Sequence, residues 1–163
     1  MNIDEINFSG YMYPLFEKLA EWVGLSDNAA PVLQVLCLEK YGQDRTLSSD
    51  EICEATRYSR SNTSLLLSQL EEIGLVKTQR DFSQTGRGRK KFRYSLSGDA
   101  EGIFAIGFKK VLDCCSSLST MINLIERNND TNAEFSKIIS DLKRVINKNK
   151  SMLKSLPALQ LIE

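Results

Sequence analysis

The hydrophobic positions repeat with helical period for most of the chain and alternate only briefly near its middle. Across residues 8–23, Phe8, Met12, Leu15, Phe16, Leu19, Trp22 and Val23 recur at helical spacing. That predicts an amphipathic helix closed by Gly24, with Pro14 in its first turn or at a break. Residues 26–41 carry Val32, Leu33, Val35, Leu36, Cys37 and Leu38. A helix so apolar is expected to be buried on most sides, with Pro31 near its start and Gly42 as its stop. Cys37 reads there as a small core residue. Ser48-Ser49-Asp50-Glu51 is a capping box, so a short helix should run through about Thr56 and offer Ile52, Cys53 and Ala55 for burial. Tyr58 turns the chain. Ser59 caps a second helix that reaches Ile73 and ends at Gly74, burying Thr63, Leu66, Leu67, Leu70 and Ile73.

Residues 75–80 then read as a strand, residues 81–91 as a loop with Ser83, Gly86 and Gly88, and residues 92–96 as a returning strand. Helix, turn, helix and a hairpin with a basic tip is the winged helix-turn-helix order. The last third differs. Phe104, Phe108, Val111, Cys115, Leu118, Ile122 and Ile125 are spaced four and three in turn. After the polar residues 128–132, Phe135, Ile138, Leu142, Val145, Asn149, Met152 and Leu156 are spaced three and four. Both are heptad-like seams. A seam this long has little of its own protein to bury against. It is expected to pack on the first segment and on a second copy of the chain; a helical hairpin with no partner is the alternative. Pro157 should end the last helix, leaving Leu159, Leu161 and Ile162 as an apolar tail that docks. The expected fold class is therefore mainly α with a small β component (α+β). A winged helix-turn-helix domain spans residues 1–97, with helix 8–24 shared with a dimer interface, and a helical dimerisation region spans residues 98–163.

Composition narrows the chemistry. The chain of 163 residues is 42% apolar and 26% charged, which fits a folded globular domain and not disorder, collagen or a disulfide-stapled miniature. No apolar run approaches the roughly 18 residues of a membrane span. Residues 1–10 hold Asp4 and Glu5 and no base, unlike a secretion signal. There is no histidine, which removes His-based general bases, nucleophile pairs and metal sites. Cys37, Cys53, Cys114 and Cys115 form no C-x-x-C and read as reduced thiols in a cytoplasm. With no phosphate-cradling loop or nucleophile motif either, no catalytic residue, metal or cofactor is expected. Net charge is zero, yet residues 1–44 carry −5 and residues 45–95 carry +4. Lys77, Arg80, Arg87, Arg89, Lys90, Lys91 and Arg93 face only Asp81. A cluster like this is either a solvated loop or a surface for a polyanion, and its place at the tip of a hairpin favours the second.

The run from Leu47 to Val76, LSSDEICEATRYSRSNTSLLLSQLEEIGLV, resembles the core of MarR-type winged-helix transcription regulators, and the layout is most similar to the GbsR-like branch. The likeness spans roughly residues 14–97. It implies a homodimeric, cytoplasmic regulator of transcription, a repressor, that binds double-stranded DNA with its second motif helix in the major groove. Ser59, Arg60, Ser61, Asn62, Ser64 and Ser68 would then meet bases and phosphates, and Arg87, Arg89, Lys90 and Lys91 of the wing would meet backbone or minor groove, aided by Gln84 and Thr85. Positions 65 and 66, often basic or polar in such helices, are both leucine. Leu66 is expected to turn inward and Leu65 outward. Leu65 would read a thymine methyl, or affinity leans on the wing, or the domain is a protein-interaction module. Two inputs are open: oxidation at Cys114 and Cys115, which otherwise fill a helix interface, or a small-molecule effector at the junction with the helical extension. Phe8, Tyr11, Tyr13, Phe16 and Trp22 would line that junction, or belong to the core.

Overall fold

A computed structural model describes residues 12–81, 91–127 and 133–161. The backbone is mainly helical with one small three-stranded antiparallel sheet. It divides into two compact units, Met1–Ile103 and Phe104–Glu163.

In the first unit, α1 spans Met12–Val23 and buries Phe16, Ala20 and Val23, one face at helical spacing. Gly24 takes a left-handed φ of 91°, and the Leu25 amide reaches back to the Ala20 carbonyl at 2.8 Å, a glycine-closed helix end. After a 3-10 turn at Asp27–Ala29, α2 runs Ala30–Gly42 with Pro31 in its first turn, where a missing N–H costs nothing. Residues Val32 through Cys37 are all buried, so α2 is the central pillar of the unit. Its end differs from the sequence expectation. Gly42 is still helical, and the left-handed residue is Asp44, at φ 47°. Lys40 Nζ holds the Asp44 carboxylate at 2.6 Å, and aspartate tolerates that conformation.

A two-residue strand, β1 at Leu47–Ser48, has no counterpart in the sequence reading. It leads into α3, Ser49–Thr56, through the capping box: the Ser48 hydroxyl accepts from the Glu51 amide at 3.2 Å and Glu51 Oε2 accepts from the Ser48 amide at 2.7 Å. The turn after α3 is made by Arg57, left-handed at φ 59°, and not by Tyr58. Ser59 caps α4, Arg60–Glu72, accepting from the Asn62 amide at 3.3 Å. Gly74, at φ 80°, ends it, and the Leu75 amide bonds to the Leu70 carbonyl at 2.9 Å. β2, Val76–Arg80, and β3, Phe92–Leu96, pair in register from Val76↔Leu96 to Arg80↔Phe92. β3 is the middle strand, with β1 on its other edge. The core joins Leu33, Leu36, Leu47, Ile52, Leu67 and Leu70, all fully buried.

Helix α5 begins at Ala100, whose amide donates to the Tyr41 hydroxyl at 2.8 Å, and runs to Arg127. In the second unit α5 and α6, Ala133–Lys154, meet through Ile122, Ile139 and Ile146, with Cys115 and Ile125 packed beside them. Lys143 and Glu126 tie the two helices at 2.5 Å. A 3-10 segment, Pro157–Leu161, follows and buries Leu159; the side chains of Leu161 and Ile162 lie outside the described residues. The heptad seams split. Ile122 is buried inside the chain and Phe108 is half-buried, whereas Phe104, Val111 and Leu118 on α5 and Phe135, Ile138, Leu142 and Val145 on α6 are exposed.

Candidate nucleic-acid interface

The face that α4 shows to solvent is set by what it buries. Thr63, Leu66, Leu67 and Leu70 face the core, so the stripe Ser61, Leu65, Ser68 and Glu72 points the opposite way, flanked by Arg60 and Ser64. Leu66 is 3% exposed and Leu65 is 58% exposed. The helix has no acid in its first turn, while Glu71 and Glu72 close its far end. Its N-terminal half is therefore the half suited to meet phosphate or base edges. Ser59, Arg60, Ser61, Ser64 and Ser68 are all exposed there, and Asn62 is half-buried. Behind this face, α3 supports α4 through the Cys53 thiol and the buried Thr63 hydroxyl, 3.3 Å apart.

A web of ion pairs fixes α3 against the sheet. Arg45 donates to Glu39 at 2.9 Å and to Glu51 at 3.3 Å. Arg93, on β3, lies 3.5 Å from Glu51, donates to the Thr46 hydroxyl at 2.8 Å and also bonds the Thr46 carbonyl. Burial alone would raise the Glu51 pKa, but the Ser48 amide and hydroxyl and the two guanidinium groups outweigh it and hold the carboxyl below its ordinary value. Arg93 thus belongs to the scaffold, although sequence reasoning counted it among the basic cluster. Burial pushes the Tyr94 phenol up, helped by Glu71. Cys37 is raised to about 12 by burial, so it stays a protonated core thiol.

Between the starts of α3 and α4 and the strand β3 lies a cavity of about 330 Å³. Ser48, Ser49 and Asp50 line one side, Arg60 and Ser64 a second, and Lys91, Phe92 and Tyr94 the third. Two of these lining residues pair with each other, Arg60 Nη2 lying 3.1 Å from Asp50 Oδ1. Of the wing residues, Lys91 is described and exposed, as are Lys77 and Arg80 on β2; Arg87, Arg89 and Lys90, with Gln84 and Thr85, lie outside the described residues. The Asp81 amide bonds to the Lys91 carbonyl at 3.0 Å, so the paired ribbon carries Lys91 beyond the last ladder pair. The structure places Ser59, Arg60 and Ser64 exposed at the start of α4, and sequence reasoning had not named Asp50, Phe92 and Tyr94, which line the cavity beside them. The capping box was the available signal for Asp50, because it fixes that residue on the first turn of α3.

Among the described residues no group of three or more His, Cys, Asp or Glu is placed to hold a metal, and no helix is long and apolar enough to cross a membrane. Cys114 is exposed, and Cys115 is half-buried beside Ile122.

No family profile matches the chain, and no curated protein matches it in sequence. Among solved structures, the crystal structure of a transcriptional regulator is similar over 93% of this chain and 93% of that one, with a TM-score of 0.59 and 17% sequence identity. The likeness establishes the fold: a mainly helical chain with a small three-stranded antiparallel sheet, in a winged-helix arrangement.

Proposed function

We propose that the protein is a MarR-type, GbsR-like regulator of transcription that acts in the cytoplasm as a homodimer and represses by occupying a specific double-stranded DNA site. The observation that carries this is the solvent face of α4: a capped helix with no acid in its own first turn, bearing Arg60, Ser61, Ser64 and Ser68, and braced from behind by α3 and the sheet. In the major groove those side chains reach base edges and phosphates, and Leu65 meets a thymine methyl. Arg87, Arg89, Lys90 and Lys91 of the wing grip the neighbouring backbone or minor groove. The exposed apolar positions of α5 and α6 are covered by the second copy, which sets two reading helices about one helical turn apart.

Selection of bound duplexes from a random pool tests the reading. A pseudo-palindrome is expected, with affinity that falls steeply with salt at a log–log slope of about −0.9 per neutralised phosphate. Replacing Arg87 and Arg89 by alanine should flatten that slope by about two contacts and weaken binding to every sequence. Failure to enrich any duplex refutes it. The exposed Leu65 supports a second reading, a winged helix that docks on protein. Charge reversal at Arg87 and Arg89 separates the two, since it abolishes duplex binding in the first case and spares partner binding in the second.

A further inference from the structure

Arg60 is the first residue of α4, and its side chain is 82% exposed. An arginine so placed carries many rotamers, and fixing one of them costs side-chain entropy. The structure supplies a restraint. Asp50 stands on the first turn of α3, on backbone already locked by the Ser48–Glu51 capping box, and takes Arg60 Nη2 at 3.1 Å. Both residues line the cavity between the starts of α3 and α4 and the strand β3.

Stability does not account for this pair, because ion pairs this exposed contribute little to it. Affinity for a polyanion does not account for it either, since a carboxylate on that surface repels phosphate. What it provides is direction. The carboxylate pairs with one edge of the guanidinium, at Nη2, and the rest of that group's five N–H donors face away from it. The fork that matches guanine O6 and N7 needs only two parallel donors.

We propose that Asp50 is a positioning residue that presents Arg60 to a guanine in each half-site, making that base pair one of those the protein reads. The assignment rests on the nucleic-acid reading above and adds a base identity and a residue that sets it.

The test uses the full-length protein, the duplex it selects, and copies of that duplex with one guanine per half-site replaced by 7-deazaguanine, which lacks the N7 acceptor. Wild type is expected to lose about tenfold in affinity at one guanine position and little at others. Arg60→Ala should erase that discrimination. Arg60→Lys should reduce it while keeping general affinity, because lysine can donate to N7 but lacks the rigid fork that Asp50 aims. Asp50→Asn should bind non-specific DNA more tightly yet discriminate at that position at least threefold less, and should have no further effect on discrimination in the Arg60→Ala background. An Asp50→Asn protein that discriminates like wild type overturns the assignment and leaves the regulator reading standing, as does a wild type whose guanine preference survives Arg60→Ala. A wild type that selects no duplex overturns both.

Discussion

Ten large apolar side chains of the second unit retain between 39% and 61% of their surface: Phe104, Val111, Leu118, Met121 and Leu124 on α5, and Phe135, Ile138, Leu142, Val145 and Met152 on α6. Burying such a side chain completely is worth about 1.5–3 kcal/mol, so covering the half that remains is worth about 1 kcal/mol each. One copy's face offers about 10 kcal/mol, and two copies that cover each other offer about twice that, against an association cost of about 4–15 kcal/mol. A homodimer at micromolar concentration or below is the expected outcome. Replacing Ile138 and Leu142 by aspartate removes about 2 kcal/mol of burial per copy and places unpaired carboxylates in the contact, each costing several kcal/mol. Dimerisation should weaken by at least about a thousandfold, which is about 4 kcal/mol. Sedimentation of wild type and variant near 10 micromolar reads this directly, with circular dichroism confirming that the helices persist. Ile139→Asp is the contrast: that residue sits in the core shared with Ile122 and Ile146, so its loss should melt the α5–α6 pairing itself. A wild type that sediments at 18.4 kDa even at high concentration, or a double aspartate variant that assembles as tightly as wild type, refutes the reasoning.

Other consequences are as specific. Glu51→Gln keeps an acceptor for the Ser48 amide but removes the charge that Arg45 and Arg93 face; its carboxyl is lowered in the fold, so its stabilisation is fully present above the unfolded value of about 4.3 and is lost as pH falls through the lower folded value. The variant should be less stable by about 0.5–1 kcal/mol at pH 7 in urea unfolding, with the gap shrinking below about pH 4; a gap that is constant with pH refutes the network. Cys37, raised to about 12, should resist alkylation at neutral pH while exposed Cys114 labels first, as mass spectrometry of the modified peptides will report. Replacing the thymine beneath Leu65 by uracil should cost about fourfold in affinity, one methyl's worth of burial, and cost nothing in Leu65→Ala.

The parts of this fold that were legible in the sequence are those where one local rule decides. The Ser48–Glu51 box, the Ser59 cap, Gly74 and the inward Leu66 each follow from spacing and side-chain chemistry alone. The parts that were not legible depend on partners distant in sequence. β1 has two residues, too few for alternation to show, and exists because β3 passes beside it. The turn at Arg57 and the left-handed Asp44 sit where no glycine signals them; the second is held by Lys40 across an irregular loop. Glu39, an acid in a mostly apolar helix, is buried because Arg45 folds back onto it. On α6 two apolar rows lie side by side, one containing Ile139 and Ile146 and one containing Ile138, Leu142 and Val145. The heptad-like spacing picked out the row of Ile138, Leu142 and Val145, and not the row of Ile139 and Ile146 that α5 covers. For the candidate site, serines and Arg60 were readable from their places after the cap, but the Asp50 contact required knowing how α3 and α4 cross.

Ser48 is at once the last residue of β1, paired with Arg93, and the N-cap of α3. Strand register and helix start are therefore counted from the same residue, with no slack between them. One amino acid inserted after Ser48 would either rotate α3 by about 100° or push Leu47 to the wrong side of the sheet, and both would displace Ile52 from the core. The same insertion between Gln43 and Asp44, past the end of α2 and before Arg45, would meet only an exposed loop. Length variation among related chains should therefore concentrate there and stop abruptly at Leu47, giving an ungapped block that runs from the strand through both helices.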